Sequence, residues 1–134
     1  MIFKKASKPQ SRIDTLIGAE TSISGDVTFS GGLRIDGQIK GNVRASGEQS
    51  STLVISEHAT IEGEISVPHL VINGTVIGPV TSSGFVELQA KARVTGDLEY
   101  NAIEMHLGAV VQGRLVHAGQ LAKSVELKLA ASSN

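Results

Sequence analysis

The chain contains no cysteine, no tryptophan, one tyrosine, three phenylalanines and only three prolines in 134 residues. Without cysteine there are no disulfides, no thiolate zinc sites and no thiol catalysis. This suits a reducing compartment. With so few aromatics, the stacking platforms of single-strand nucleic-acid and carbohydrate binders are missing. A net charge of −1 and an isoelectric point near 6.4 exclude the basic face of a general nucleic-acid binder, so no nucleic-acid partner is expected. No apolar run is long enough for a membrane span. Met1-Ile2-Phe3-Lys4-Lys5 is too short to be the apolar core of a signal peptide. The expected compartment is therefore the cytoplasm.

What the chain does have is 13 Val, 12 Ile, 11 Leu and 15 Gly. Branched aliphatics with frequent glycine favour strands joined by tight turns. The glycines also keep time. Gly25, Gly41, Gly63, Gly78, Gly96 and Gly113 follow one another at 16, 22, 15, 18 and 17 residues. Two residues before each stand Ile23, Ile39, Ile61, Val76, Val94 and Val111. Two residues after stand Val27, Val43, Ile65, Val80, Leu98 and Leu115. Eight before stand Ile17, Leu33, Ile55, Leu70, Leu88 and Met105. All 18 positions are aliphatic or Met, where about six would be expected by chance.

The unit is apolar-x-apolar, a turn, then apolar-x-Gly-x-apolar. Alternation at period two marks strands with one buried face. Two units carry Asp36-Gly37 and Asn73-Gly74 at the turn and are about two residues shorter there. Such pairs predict a tight corner with a positive φ at the glycine. Ser46-Gly47-Glu48-Gln49-Ser50-Ser51 is a single insertion and predicts a surface loop at one corner. One unit of this size cannot bury its own apolar face, but stacked units can. The predicted fold is all-β: a right-handed parallel β-helix of about six coils with short disordered tails. Uneven spacing disfavours the rival, a left-handed hexapeptide helix of the kind that carries transferase activity.

The expected layout is a flexible arm over residues 1–14, a β-helix domain over 15–129 and a disordered end over 130–134. Residues 1–12 hold Lys4, Lys5, Lys8 and Arg12 with no acidic side chain. The rest of the chain holds 8 basic and 13 acidic residues, a net of −5. Met1, Ile2, Phe3, Lys4, Lys5 and Lys8 are thus the candidate contacts for an anionic lipid surface.

Motifs for catalysis are scarce. There is no Gly-x-Ser-x-Gly elbow and neither common phosphate loop. His58, His69, His106 and His117 are placed by the repeat at different corners and read as solvated. Glu62 with Glu64, and Asp97 with Glu99, read as outer-face solubilising charges. No metal, cofactor or catalytic residue is expected. The notable feature is the ends. Solenoids normally carry a polar or helical cap, and neither end here has a convincing one. Open strand edges are templates for another chain. The candidate self-association residues are Ile17, Ile23, Val27 and Phe29 at one end. At the other they are Ile103, Met105, Val111 and Leu115, with Leu121, Val125 and Leu127 after them.

Two stretches carry a resemblance. One is Leu33-Arg34-Ile35-Asp36-Gly37-Gln38-Ile39-Lys40-Gly41-Asn42-Val43. The other runs from Leu70-Val71-Ile72-Asn73-Gly74-Thr75-Val76-Ile77-Gly78 through Val86-Glu87-Leu88 to Ala92-Arg93-Val94-Thr95-Gly96-Asp97-Leu98. In motif and register they resemble the bactofilins over about residues 15–120. The resemblance implies a bacterial cytoskeletal protein with a right-handed β-helix. It implies end-to-end assembly into non-polar filaments without nucleotide. It also implies binding to the inner face of the cell membrane through a short apolar N-terminal peptide. The further implied partners are cell-wall hydrolases or synthases, and through them an effect on cell shape. Met1, Ile2 and Phe3 match that peptide in position and type.

Overall fold

The computed structural model describes residues 12–47 and 50–118. Its elements are short strands, introduced here coil by coil. The first coil is β1 (Thr15–Ile17), β2 (Ser22–Ser24) and β3 (Val27–Phe29). The second is β4 (Gly32–Ile35), β5 (Gln38–Lys40) and β6 (Val43–Ala45). The third begins with β7 (Thr52–Ile55) and β8 (Thr60–Glu62), and β9 (Ile65–Ile72) runs on into the fourth. There β10 (Thr75–Ile77) follows, and β11 (Val80–Leu88) leads into the fifth, which has β12 (Arg93–Thr95) and β13 (Leu98–Tyr100). The sixth is β14 (Ala102–Met105), β15 (Val110–Gln112) and β16 (Leu115–His117).

Every strand pairs in parallel with its counterpart one coil away. The middle strands form one six-stranded sheet in the order β15-β12-β10-β8-β5-β2. The first and third faces merge into a ten-stranded sheet, because β9 and β11 run through the corner between them. The predicted parallel β-helix, with its six coils, is the architecture found.

In-register stacking puts like on like. Ile39, Ile61, Val76 and Val94 form one inward column. Val43, Ile65, Val80 and Leu98 form a second. The intervening side chains point outward, as period two requires. Ile61 and Val94 are 0% and 1% exposed, so the glycine frame points the predicted face inward. The core is aliphatic throughout because a coil of this girth leaves room for one branched side chain per strand position and little for a ring.

The frame slips at one place. Ile17, Ile35, Ile55, Ile72, Leu88 and Met105 occupy one column, at spacings of 18, 20, 17, 16 and 17. The constant offset of eight names Leu33 and Leu70 instead of Ile35 and Ile72. The reason is the corner between the first and second faces. It spans six residues in most coils, as from Ile17 to Ile23, but four from Ile35 to Ile39 and from Ile72 to Val76. Leu33 and Leu70 remain buried because they lie one pleat earlier on the same inward face.

Those short corners use glycine for a different reason from the one predicted. Gly37 and Gly74 are absent from the positive-φ positions. Each nestles beneath the wider corner of the preceding coil. A Cβ on Gly37 would strike the carbonyl oxygens of Thr21 and Gly18, and one on Gly74 those of Ser56 and Ala59. The inserted loop leaves from β6 and returns at Ser51. Ser51 is fully buried, and its Oγ accepts a hydrogen bond from the Gly31 N–H at 3.2 Å.

Candidate self-association ends

A coil inside the stack is covered on both sides, and a terminal coil on one. The same column therefore changes character along the axis. Leu88 and Leu98 are 0% exposed, whereas Met105 and Leu115, one coil further, are each 44% exposed. Ile103 and Val111 beside them are half-buried, Val110 is exposed and Leu107 at the corner is 96% exposed. At the opposite end Ile17 is buried, while Ile23, Val27 and Phe29 are half-buried against the core. Leu16 and Ile13 are exposed nearby.

The backbone tells the same story. Among the described residues β2 and β15 are the two edges of the six-stranded sheet. β1 pairs with β4, and β3 with β6. β14 pairs with β11, and β16 with β13. Among the described residues each end thus offers a coil-shaped ring of strand edges around an apolar centre, which is the shape a further coil fits.

The corner after each guide glycine is built for repetition. A Cβ on Gly41, Gly63, Gly78, Gly96 or Gly113 would meet the carbonyl of the guide glycine one coil earlier. Gly25 meets nothing within 4 Å, because it is first in the column. Side chains reinforce the stack beside it. Asp26 Oδ1 accepts from the Asn42 N–H at 2.9 Å, and Asn42 Oδ1 accepts from the Glu64 N–H at 2.9 Å. Asp97 Oδ1 accepts from the Arg114 N–H at 2.9 Å, and Asp97 Oδ2 pairs with the Arg114 guanidinium at 2.9 Å. Those two contacts from Arg114 hold the Asp97 carboxyl below its ordinary value. The Gly32 backbone N–H does the same for Asp14, with Arg12 adding to it.

Of the sequence-derived candidates, the structure gathers Ile17, Ile23, Val27 and Phe29 in the first coil and Val111 and Leu115 in the last. Leu121, Val125 and Leu127 lie outside the described residues, as do Met1, Ile2, Phe3, Lys4, Lys5 and Lys8. Ile103 and Met105, also named beside Val111 and Leu115 for that end, lie in the last coil as well, whereas Leu107 and Val110 were not singled out. Their signal was available: each is apolar in the last coil that the glycine column marks. No helix among the described residues is long and apolar enough to cross a membrane. Glu62 and Glu64 are exposed, and the Asp97 pair with Arg114 lies on the outer surface. His58 and His106 share the first corner three coils apart, whereas His69 and His117 lie within β9 and β16 and are half-buried, not solvated at corners as expected.

Residues 15–116 match the family model described as Bactofilin, polymer-forming cytoskeletal. Bactofilin BacP of Myxococcus xanthus (strain DK1622) is 26% identical over 116 residues, which is 86% of this chain and 47% of that protein. Bactofilin BacO of the same organism is 28% identical over 102 residues, 76% of this chain and 78% of that protein. The chain thus spans about half the length of BacP. No solved structure matches it.

Proposed function

We propose, from the premise that this chain belongs to the bactofilin family of polymer-forming cytoskeletal proteins, that it is a non-catalytic scaffold which polymerises through the two ends of its β-helix. The observation that carries this reading is the exposed apolar column of the last coil, Met105 and Leu115, set within the strand edges that end the sheets among the described residues. Stacking a second β-helix there buries the same kind of surface that every interior coil already buries. No nucleotide is required, because the junction is a packing surface and the sequence carries no phosphate loop. The filaments are non-polar: like ends meet by a two-fold contact, which uses one patch twice. Residues 1–12 attach the polymer to anionic lipid at the inner face of the cell membrane. One arm binds weakly, and many arms on one filament bind well. The attached scaffold positions cell-wall hydrolases or synthases.

Leu115→Arg tests the end contact. It places an ion in the junction without a partner, at a cost of several kcal/mol, while in the separate chain the position is already open to water. Negative-stain microscopy without nucleotide is expected to show filaments from the wild type and small, folded species from the variant. Filaments of normal length from Leu115→Arg would refute the end as the junction. Because the chain lacks cysteine, Gln112→Cys on the edge strand β15 tests polarity. Like-to-like ends give a dimer from that single variant on oxidation. A polar filament gives one only when the second chain carries Ser24→Cys.

A further inference from the structure

We propose that Glu87, Glu104 and His106 form a binding site for one divalent transition-metal ion, with zinc as the representative, that clasps the last coil to the one before it. His106 Nε2 lies 3.1 Å from Glu87 Oε2 and 3.3 Å from Glu104 Oε2. One ligand atom from each of the three converges within 4.8 Å of the others. Zinc binds imidazole nitrogen and carboxylate oxygen at about 2.0–2.2 Å in tetrahedral geometry, so neighbouring ligand atoms stand about 3.3–3.6 Å apart. The two nitrogen–oxygen gaps are close to the edges of such a tetrahedron.

The fold explains the convergence. Glu87 on β11 and Glu104 on β14 are direct partners in adjacent rungs, with both side chains on the outer side of the first face. Two carboxylates so placed repel one another, and a cation between them reverses that repulsion. His106 follows Glu104 by two residues, one past the end of β14, where its N–H still pairs with the Leu88 carbonyl, so the extended chain carries it to the same side as Glu104. Glu87 is further positioned by a hydrogen bond from Gln89 Nε2 at 3.2 Å. The side chains of Glu87, His106 and Glu104 are 25%, 40% and 59% exposed, which leaves the ion a way in and a position for water. The donor set selects the ion class. One imidazole with two carboxylates suits zinc and its neighbours in the first transition row, whereas calcium takes six to eight oxygens.

The site does not depend on how the chain assembles, and its test is direct binding. Isothermal titration of the dispersed protein, without a polyhistidine tag, with zinc chloride is expected to give one ion per chain. His106→Ala is expected to abolish this binding, and Glu87→Gln to weaken it about tenfold or more, as losing even an outer-shell partner does. His58→Ala, at the equivalent corner three coils away, is expected to bind like the wild type. Cobalt(II) in place of zinc gives the intense visible bands of a four-coordinate site. The His106 N–H donates to the Leu88 carbonyl at 2.9 Å across the two coils, and its hydrogen exchange is expected to slow when zinc is present. Absence of saturable binding would overturn the proposal. So would binding that persists unchanged in His106→Ala and Glu87→Gln, because the ion would then sit elsewhere.

Discussion

Gly25→Ala and Gly96→Ala differ in one respect that the structure isolates. Both glycines hold a positive φ, 133° and 138°, so alanine strains the backbone alike at each, by about 1–3 kcal/mol. At Gly25 the new Cβ meets nothing within 4 Å. At Gly96 it would lie 2.5 Å from the Gly78 carbonyl oxygen and 2.8 Å from its carbon. An ordinary carbon–oxygen contact is about 3.3 Å or more, so the coils must part by a large fraction of an ångström. That movement pulls on the flanking bonds, Gly78 N–H to Thr95 O and Gly96 N–H to Gln112 O, both 2.9 Å. Forcing atoms into a packed site costs about 1–3 kcal/mol. Gly96→Ala is therefore expected to lose about 2–6 kcal/mol and Gly25→Ala about 1–3. Native-state hydrogen exchange reads each coil separately. It should be run in a background carrying both Leu115→Arg and Phe29→Arg so that assembly at neither end enters. The probes are the Gly25 N–H, which donates to Lys40 O, and the amides of Gly78 and residue 96. Equal loss of protection around both sites would refute the close approach as the reason for the glycine column.

Ile61→Ala, at a fully buried position, is expected to cost about 2–5 kcal/mol by urea unfolding of dispersed protein. Ile23→Ala in the same column, at the half-buried end, is expected to cost clearly less in stability but to shorten filaments. Acid is expected to loosen the last coil. The Asp97 pKa is depressed in the fold by Arg114, so its contribution is present above the unfolded aspartate value and is lost as pH falls through the folded one. The protection factor of the Arg114 amide, measured against its intrinsic exchange rate, should therefore fall as pH drops below the ordinary aspartate value of about 4, and Asp97→Asn should remove that dependence. Removing residues 1–8 is expected to abolish co-sedimentation of filaments with anionic liposomes while leaving filament formation intact. Equal sedimentation of intact and truncated filaments would show that the anchor lies elsewhere.

The inward face of the solenoid was legible in the sequence because each coil meets its neighbour in the same way. A position that must be apolar once must be apolar six times, and the guide glycines mark where. The two short corners were legible as well, from Asp36-Gly37 and Asn73-Gly74, but their physical cause was not. A φ angle and a neighbour's carbonyl both demand glycine, and only the position of Thr21 and Gly18 beside Gly37 tells them apart. The ends were half legible. Ile23, Val27, Val111 and Leu115 could be named from their coils, yet Val111 in sequence is no different from Val94. What separates them is whether another coil lies on the far side. Glu87, Glu104 and His106 were not legible as a group, because nothing local joins residues 17 positions apart. Coil lengths here run from 16 to 20, and one residue more or less would turn Glu87 to the opposite side of its strand. Alternation along a strand is set by the chain's own geometry and can be read directly. Adjacency between coils is set by the lengths of corners in three dimensions, and that only the folded stack decides.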